Sequence, residues 1–472
     1  MEELMMKKEN KFHIALFPWL AYGHLLPYLE VSKLLAEKGY RVTFISTPKN
    51  IRRLPKLHQA LSDSCLINFV ELPLPEVDGL PNGVESTADI SIQKVPYLKK
   101  AYDMLQPSLI HFLQASDVNW IIHDFVCYWV PQVATQLGIN SIFFHITNAT
   151  SLAFVGPPSE LTGGQRQKPE DFTVVPKWID FPSNEAFKLH EMVSHWDCMD
   201  RDVADFERFA HAIQGCQFVT MRTCPKFEAD SLSLLQKLYG KPAVPIGFLP
   251  PHHSNSVQGD DDEIKWKTLK EWLDNNKHRS VFYIAFGTEV SLSRDMMHEL
   301  AYGIEKSRLP FIWVLNNRPL VEGLLGSDHI IPPEFEAQVS ERGLIWRGWA
   351  PQLRILAHSS IGGFLTHCGW GSVIEALGFG LPLILFSGAS ADQGLIARLM
   401  QERGVGLEIP RDDKTGSFTS DSVAKLIRRV MVDQEGESVR ANAWAIRDIF
   451  GNVELNNRCL DEFIKCLETF AA

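Results

Sequence analysis

The chain lacks the sequence features of several large enzyme classes. No GxxxxGK[ST] segment is present to form a P-loop, and no GxSxG is present to place a nucleophilic serine. The first predicted strand is followed by a turn without GxGxxG, which argues against a dinucleotide-dependent dehydrogenase. No apolar run approaches the ~18–20 residues that cross a bilayer, and the polar first residues lack the core of a signal peptide.

Cysteine and positive charge are also scarce. The eight cysteines are scattered without a CxxC pair, which is typical of a reducing compartment, so we expect a cytoplasmic protein. The formal net charge of −11 argues against nucleic acid as a partner. Two aspartate-rich stretches, Asp200–Asp202 and Asp260–Asp262, lie in polar segments typical of solvated charge, so no metal site is predicted.

The chain does contain enough apolar residues to form two hydrophobic cores. A chain of 472 residues with 45% hydrophobic residues exceeds one compact core, so two domains are expected. Alternating strand and helix patterns predict an α/β fold with parallel sheets. A polar break rich in Pro, Gly and Asp predicts a linker over 249–265, between a first domain at 1–248 and a second at 266–440, with closing helices at 441–472. The predicted strands are His13–Trp19, Arg41–Thr47, Asn119–His123, Ser141–Ile146, Val281–Phe286, Phe311–Leu315, Leu344–Arg347, Gly362–Thr366 and Leu381–Phe386.

The densest group of candidate binding residues lies between Trp349 and Gln393. Within it, an apolar strand runs into the glycine-rich turn that contains Gly369, Trp370 and Gly371, and Ser372 is predicted to cap the helix that follows. Backbone N–H groups at a helix start bind an anion without a metal. Glu375 lies three residues after Ser372 on the same helix face, where its carboxylate can accept hydrogen bonds from ribose hydroxyls.

Residues on either side of this turn suit the rest of a nucleotide. Trp349 and Ala350 follow a predicted strand, so an aromatic face is available to a base and backbone groups to its edge, although a tryptophan is more often a core residue. His367 precedes the glycine turn and can donate to a phosphate oxygen. Thr288 follows the strand at 281–286 and either presents its hydroxyl to the same region or caps a helix.

A candidate general base lies far upstream, in the turn FPWLAYGH. His24 ends this turn after the first predicted strand, at the strand end where doubly wound domains bind ligands. Histidine is the side chain whose unperturbed pKa suits proton transfer near neutral pH. Asp124 follows the strand Asn119–His123 and can orient the imidazole, or it can instead cap a helix at 125–130. His123 is interpreted as structural.

The chain resembles the plant family 1 UDP-dependent glycosyltransferases. WAPQ, THCGW, the following Ser and Glu and a terminal DQ fall in register with that family's PSPG box, and the general pattern extends over nearly the whole chain. The resemblance implies the GT-B fold, in which two Rossmann-like parallel-sheet domains face each other across a cleft. It also implies that the closing helices pack back on the first domain. A monomer is expected by default.

The resemblance assigns a role to each candidate residue. It implies that His24 is the catalytic base and Asp124 its partner, that Trp349 and Ala350 hold uracil, and that Gln352 reaches the ribose. Asp392 and Gln393 match positions that contact the transferred sugar. The implied donor-binding set is Thr288, Trp349, Ala350, Gln352, His367, Gly369, Trp370, Gly371, Ser372, Glu375, Asp392 and Gln393.

Two departures from the family pattern leave the sugar open. The residue after HCGW is commonly Asn in the family and is Gly371 here, so only backbone donors are available at that position. The segment 386–393 is one residue longer than usual and lacks the common Trp before DQ. Glucose and rhamnose are therefore both open as the sugar that is transferred.

The activity implied is inverting transfer from a UDP-sugar to a hydroxyl of a small molecule, with no cofactor and no metal. The WLAYGH and HCGWGS variants look most like the branch that adds a sugar to the sugar of a flavonoid or terpenoid glycoside. The expected partners are thus a UDP-sugar donor and a small-molecule glycoside acceptor. A non-catalytic nucleotide-sugar-binding protein and a sugar-nucleotide epimerase are the alternatives on the same fold.

Overall fold

Two parallel β-sheets organise the chain, which is represented by a computed structural model describing residues 11–196, 203–250, 260–287, 292–315, 331–388 and 392–471. Contacts between residues divide it into two units. The first unit holds the described residues up to 165, those from 203 to 249 and those from 455 onward. The second holds 166–196 and the described residues from 250 to 454. Among the helices of the described ranges, none combines the length and apolarity that crossing a membrane requires.

The first unit is built on a seven-stranded parallel sheet with the order β3-β2-β1-β4-β5-β6-β7. Its strands are β1 His13–Phe17, β2 Arg41–Ser46, β3 Ile67–Glu71, β4 Trp120–His123, β5 Asn140–His145, β6 Phe218–Met221 and β7 Ala243–Pro245. Alternate residues of β1 enter separate cores on the two faces: Ile14 and Leu16 enter one, and Ala15 and Phe17 enter the other. Both faces of this sheet are therefore covered, as in other parallel sheets.

Helices on both faces provide that cover. They are α1 Tyr22–Glu37, α2 Pro48–Arg53, α3 Gln59–Ser64, α4 Val95–Asp103, α5 Gln106–Gln114, α6 Val130–Gln136, α7 Ala149–Val155, α8 Pro158–Leu161, α10 Asp205–Gly215, α11 Pro225–Tyr239 and the last helix, α20 Val453–Ala471. Leu460, Phe463 and Leu467 of α20 enter the same core as Ile14 and Leu16 of β1. The C-terminal helix therefore completes one face of the first unit.

The second unit is built on a six-stranded parallel sheet with the order β10-β9-β8-β11-β12-β13. Its strands are β8 Val281–Ala285, β9 Phe311–Leu315, β10 Gly343–Arg347, β11 Ile361–Thr366, β12 Leu383–Leu385 and β13 Gly406–Glu408. Its helices are α9 Leu189–Trp196, α12 Asp260–Asp274, α13 Arg294–Ser307, α14 Phe335–Val339, α15 Gln352–Leu356, α16 Trp370–Gly378, α17 Gln393–Glu402, α18 Ser420–Met431 and α19 Glu437–Phe450.

Strand order explains which residues become neighbours at the carboxyl edge of each sheet. In the first sheet β1 lies beside β4, with Phe17 opposite His123, so the turns that follow these strands lie side by side. In the second sheet β8 lies beside β11, with Ala285 opposite Thr366. The strand order reverses at both places, and such points are where open α/β sheets bind ligands.

The predicted strands are all present, but three helix starts differ from the prediction. Helix α1 begins at Tyr22, so His24 lies in its first turn and not before it. Helix α16 begins at Trp370 with Gly369 at the cap position, so the prediction that Ser372 caps this helix is wrong. Residues 125–129 form turns and α6 begins only at Val130, so the alternative helix at 125–130 is absent.

The two contact units differ in places from the domain limits expected from the sequence. Residues 166–196, expected within the first domain at 1–248, contact the second sheet. Helix α19 also belongs to the second unit, so within the expected closing segment 441–472 only the residues from 455 join the first. Of the expected linker 249–265, residues 251–259 lie outside the described residues, and α12 begins at Asp260.

Candidate active site

The first group of candidate residues is a histidine–aspartate pair at the carboxyl edge of the first sheet. Nδ1 of His24 lies 2.7 Å from Oδ2 of Asp124. The same carboxylate accepts backbone N–H bonds from Trp19 at 3.2 Å and Phe125 at 2.8 Å. The Asp124 side chain is 2% exposed and the His24 side chain 18%. The aspartate is thus fixed from three sides, while the imidazole it holds keeps an accessible edge.

Two other histidines next to this pair are unsuited to proton transfer at neutral pH. His123 ends β4 and is fully buried, and burial lowers its pKa to about 4. Burial likewise lowers the pKa of His145, which ends β5, to about 3, against the opposing effect of the Asp124 charge. Nε2 of His145 is 2.5 Å from the Thr147 hydroxyl. These histidines are neutral at pH 7, consistent with the structural role predicted for His123.

Aromatic rings line the surroundings of His24. The ring of Phe125 lies 6.2 Å from that of His24 and stacks on Phe209 at 4.2 Å. Phe209 in turn meets Phe143 and His145 edge-on, each at 5.9 Å. Phe125 and Phe209 are both partly exposed. A planar apolar molecule could therefore pack against these rings within reach of the histidine.

The second group of candidate residues surrounds the start of α16 in the second unit. Strand β11 ends at Thr366, whose hydroxyl accepts the N–H of Cys368 at 3.3 Å. Cys368 has a left-handed backbone (φ 68°), which turns the chain directly into the helix at Trp370. No side chain caps this helix, so the N–H groups of its first turn, including that of Gly371, point out of the helix start.

Three predicted donor residues are brought together by hydrogen bonds beside this helix. Nε2 of Gln352 donates to the Ser372 hydroxyl at 3.1 Å and to Oε2 of Glu375 at 2.7 Å. The Tyr283 hydroxyl donates to Oε1 of Gln352 at 3.4 Å. All three predicted side chains are partly exposed. A ribose with two adjacent hydroxyls matches a carboxylate, an amide and a hydroxyl presented side by side.

His367 lies between two glycines next to the same helix start. A Cβ on Gly287 would come within 2.8 Å of its Cε1, and a Cβ on Gly369 within 2.6 Å of its Nε2. Burial lowers the pKa of His367 to about 4, although the residue as a whole keeps intermediate exposure. It is therefore a neutral imidazole at pH 7, able to donate one hydrogen bond to a phosphate oxygen but not to supply a positive charge.

The other residues predicted to bind the UDP-sugar differ in how far they are exposed. Trp349 is 60% exposed, which is rare for a tryptophan and argues against the core role considered from the sequence. Ala350 follows it and is half-buried. Trp370 is 3% exposed and its ring packs against Phe450 at 6.0 Å, so the side chain belongs to the interior of the second unit.

At the end of the segment 349–393, Asp392 directly precedes helix α17 and Gln393 is the first residue of that helix. Asp392 occupies the N-cap position of α17, but its side chain makes no capping hydrogen bond. Gln393 is 5% exposed, and among the described residues its Oε1 has no hydrogen-bond partner. Thr288, predicted to face the phosphates, lies outside the described residues.

Comparison with known proteins identifies the family. The chain matches the model described as UDP-glucoronosyl and UDP-glucosyl transferase over residues 189–447, more than half of its length. UDP-glycosyltransferase 91C1 of Arabidopsis thaliana is 47% identical over 468 residues, which cover 98% of each chain. This chain belongs to the plant family 1 UDP-glycosyltransferases. The soyasaponin III rhamnosyltransferase of Glycine max is also similar, at 39% identity over 98% of this chain and 96% of that one.

Solved structures of such glycosyltransferases share the fold. The crystal structure of Glycyrrhiza uralensis UGT73P12, in complex with glycyrrhetinic acid 3-O-monoglucuronide, matches with a TM-score of 0.77 at 22% identity. The match covers 98% of this chain and 96% of that chain. The predicted GT-B fold with two Rossmann-like parallel-sheet domains is confirmed, as is the prediction that the chain is a UDP-glycosyltransferase enzyme.

The sequence did not point to some residues that the structure places at these groups. Tyr283 joins the Gln352 cluster from the middle of β8, where a tyrosine is an ordinary strand residue. Phe209 reaches the His24 surroundings from α10, and no pattern in the sequence links that helix to β4. Glu191 and Arg398 form a buried ion pair near Gln393 although they are 207 positions apart in the chain.

Replacing Gly369 by alanine should weaken UDP binding about tenfold, equivalent to ~1.4 kcal/mol. The backbone of Gly369 (φ −62°) suits alanine, so the effect arises from the contact of the new Cβ with His367, which Gly287 confines on its other side. Titration calorimetry with UDP measures it. Gly378→Ala, in the same helix and with only Gly451 Cα at 4.0 Å, is the matched control. Unchanged UDP affinity in Gly369→Ala would show that the helix start does not bind the diphosphate.

Proposed function

We propose that this glycosyltransferase moves glucose or rhamnose from a UDP-sugar, with inversion and without a metal, to a hydroxyl of a small molecule. We propose further that the acceptor hydroxyl belongs to the sugar of a flavonoid or terpenoid glycoside. The observation that carries the proposal is the 2.7 Å contact between His24 and Asp124 in a chain of this family. A nucleotide-sugar binder without catalysis has no need for such a pair.

His24 acts as the general base in this mechanism. The Asp124 carboxylate accepts from Nδ1, so the lone pair that takes a proton is on Nε2. The acceptor oxygen forms a bond to the anomeric carbon as the bond from that carbon to the UDP oxygen breaks, with the electron pair leaving on UDP. The acceptor proton moves to Nε2, and attack from the face opposite UDP inverts the anomeric centre.

The start of α16 stabilises the departing diphosphate. The backbone N–H groups of its first turn carry the positive end of the helix dipole, and His367 adds a neutral donor. Glu375, Ser372 and Gln352 hold the ribose, and the exposed Trp349 face stacks on uracil. Asp392 and Gln393 contact the sugar hydroxyls. Charge develops on the leaving oxygen within this set of fixed dipoles, so no cation is required.

Two observations support the choice of acceptor and donor. The partly exposed rings of Phe125 and Phe209 near His24 suit a planar or polycyclic aglycone. Rhamnosyl transfer is named for the soyasaponin III rhamnosyltransferase, which is similar over almost the whole chain. Gly371 offers only backbone donors at its position, and this fits either sugar.

A mass-spectrometric screen tests the proposal. UDP-glucose, UDP-rhamnose and UDP-xylose are each incubated with flavonoid and terpenoid glycosides, with the matching aglycones, and without acceptor, with and without EDTA. We expect a glycoside acceptor to gain the mass of one glucose or rhamnose, with UDP released in equal amount and no loss in EDTA. A changed sugar nucleotide without acceptor indicates an epimerase, and transfer only to aglycones contradicts the proposed acceptor class.

A further inference from the structure

A buried ion pair in the second unit links helix α9, from the first half of the sequence, to the helix that follows the predicted sugar-binding residues Asp392 and Gln393. Glu191, on α9, accepts from Nη2 of Arg398 at 2.7 Å and from Nη1 at 3.1 Å. The two side chains are 3% and 10% exposed. Arg398 lies on α17, the helix that begins at Gln393. The pair is thus one and a half turns from a residue assigned to sugar binding.

The carboxylate of Glu191 also contacts both ends of the loop that carries Asp392 and Gln393. At the first end, the Ser387 hydroxyl donates to Oε1 of Glu191 at 2.7 Å. At the second end, a Cβ on Gly394 would lie 2.4 Å from Oε2 of Glu191, so the carboxylate packs directly on that backbone. Residues 389–391, between these ends, lie outside the described residues.

Two arginines also donate to backbone carbonyls at these two ends of the loop. Nη1 of Arg398 donates to the Gly394 carbonyl at 2.6 Å. Arg411 donates to the Ser387 carbonyl and to the Gly416 carbonyl, the latter at 2.7 Å. Ser387 is fully buried, so these contacts exclude water. Without the Glu191 charge, Arg398 keeps only the more distant carboxylate of Glu408, 3.5 Å from its Nη1, so the arrangement is sensitive to a substitution of Glu191.

A second carboxylate in the same cluster binds neighbouring groups and does not replace Glu191. Glu408, on β13, lies 2.6 Å from the Ser387 hydroxyl and accepts from Nζ of Lys188 at 3.1 Å. No hydrogen bond to the Gly394 end of the loop is recorded for it among the described residues. Glu191 alone of the two carboxylates contacts both ends.

We propose that Glu191, paired with Arg398, is a positioning residue that fixes Ser387 and the start of α17 at Gly394, so that Asp392 and Gln393 meet the sugar of the donor. The inference rests on the proposed function, since it assumes that these two residues contact the sugar. It assigns to the segment 166–196 a part in donor recognition.

The test compares the binding of UDP, which has no sugar, with that of UDP-glucose and UDP-rhamnose in the absence of acceptor. We expect Glu191→Gln to weaken the preferred UDP-sugar about tenfold, while the Kd of UDP changes less than twofold. Ser387→Ala removes the contact of Glu191 at the first end, together with the contacts of the same hydroxyl with Glu408 and Arg398, and leaves the contact with Gly394 in place. It should move the same ratio by a smaller factor and supplies the measurement if Glu191→Gln does not fold. The KM for that donor should rise with the Kd.

Asp103→Asn is the matched control, because it breaks a bidentate pair with Arg208 (2.9 and 2.7 Å) in the first unit. It should lower the melting temperature without changing the ratio of UDP-sugar to UDP affinity. Equal weakening of UDP and UDP-sugar, or an unchanged ratio in folded Glu191→Gln, overturns the inference. Failure of the proposed function is distinguished separately, because the wild-type protein would then transfer no sugar to any acceptor in the screen, whatever its affinity for UDP-sugars.

Discussion

His24→Ala is expected to lower kcat by about 10²–10⁴ while leaving the affinity for UDP within twofold of wild type. The substitution removes the group that accepts the acceptor proton, and no neighbouring histidine replaces it. His123 and His145 are buried, with pKa values lowered to about 4 and about 3, and neither has the accessible edge of His24. Initial rates with a saturating donor measure kcat, and calorimetry measures UDP binding.

The control for this change is a histidine of the same unit that is exposed and remote from Asp124. His58, half exposed on its side chain, serves this purpose as His58→Gln and should retain full activity. His24→Gln keeps a polar side chain of similar length and should be as inactive as His24→Ala, because an amide is not a base near pH 7. A folded His24→Ala enzyme with more than a third of wild-type kcat would contradict the assignment of the base.

Much of the fold and of the His24 pair could be predicted because parallel strands follow simple rules. Apolar runs such as those of β1 and β4 mark buried strands, and residues directly after them lie at the carboxyl edge. His24 and Asp124 each follow such a run, 100 positions apart. Their contact therefore required only that β1 and β4 be neighbours, which doubly wound topology provides.

The start of α16 could not be located from the usual signals. Ser372 before an apolar segment has the form of an N-cap, yet the helix begins two residues earlier, at Trp370. The left-handed conformation of Cys368 turns the chain into the helix, and nothing marks a cysteine for that conformation. The error is small in residues, but it puts Ser372 inside the first turn, where its hydroxyl meets Gln352 instead of the backbone.

The cluster around Glu191 shows a second limit of prediction from the sequence. Each of its members is an ordinary charged residue in its own segment, and most charged residues are exposed. Only the packing of α9 against the second sheet turns Glu191 and Arg398 into a buried pair. Pairings of this kind carry no periodicity or local spacing, so they become visible only in the three-dimensional structure.

Asp124→Asn is expected to lower kcat by about 10²–10⁴ with little change in donor binding, even though the side chain keeps its size. The carboxylate accepts from Nδ1 of His24 and from the N–H groups of Trp19 and Phe125. An asparagine has one accepting oxygen and one donating nitrogen at these positions. The Phe125 N–H binds Oδ1 at 2.8 Å, whereas His24 and the more distant Trp19 N–H share Oδ2, so an amide that keeps its oxygen toward Phe125 turns its nitrogen toward His24.

A change in the tautomer of His24 explains why a substitution that keeps the size of the side chain should lower kcat so strongly. If the amide nitrogen faces His24, Nδ1 must become the acceptor, and the ring proton moves to Nε2, the atom that should receive the acceptor proton. The pH dependence of kcat/KM separates this effect from a loss of folding, because the ionisation assigned to the base should shift or disappear while the melting temperature changes little. A folded Asp124→Asn enzyme with the rate and pH profile of wild type would show that Asp124 supports the structure and not the base.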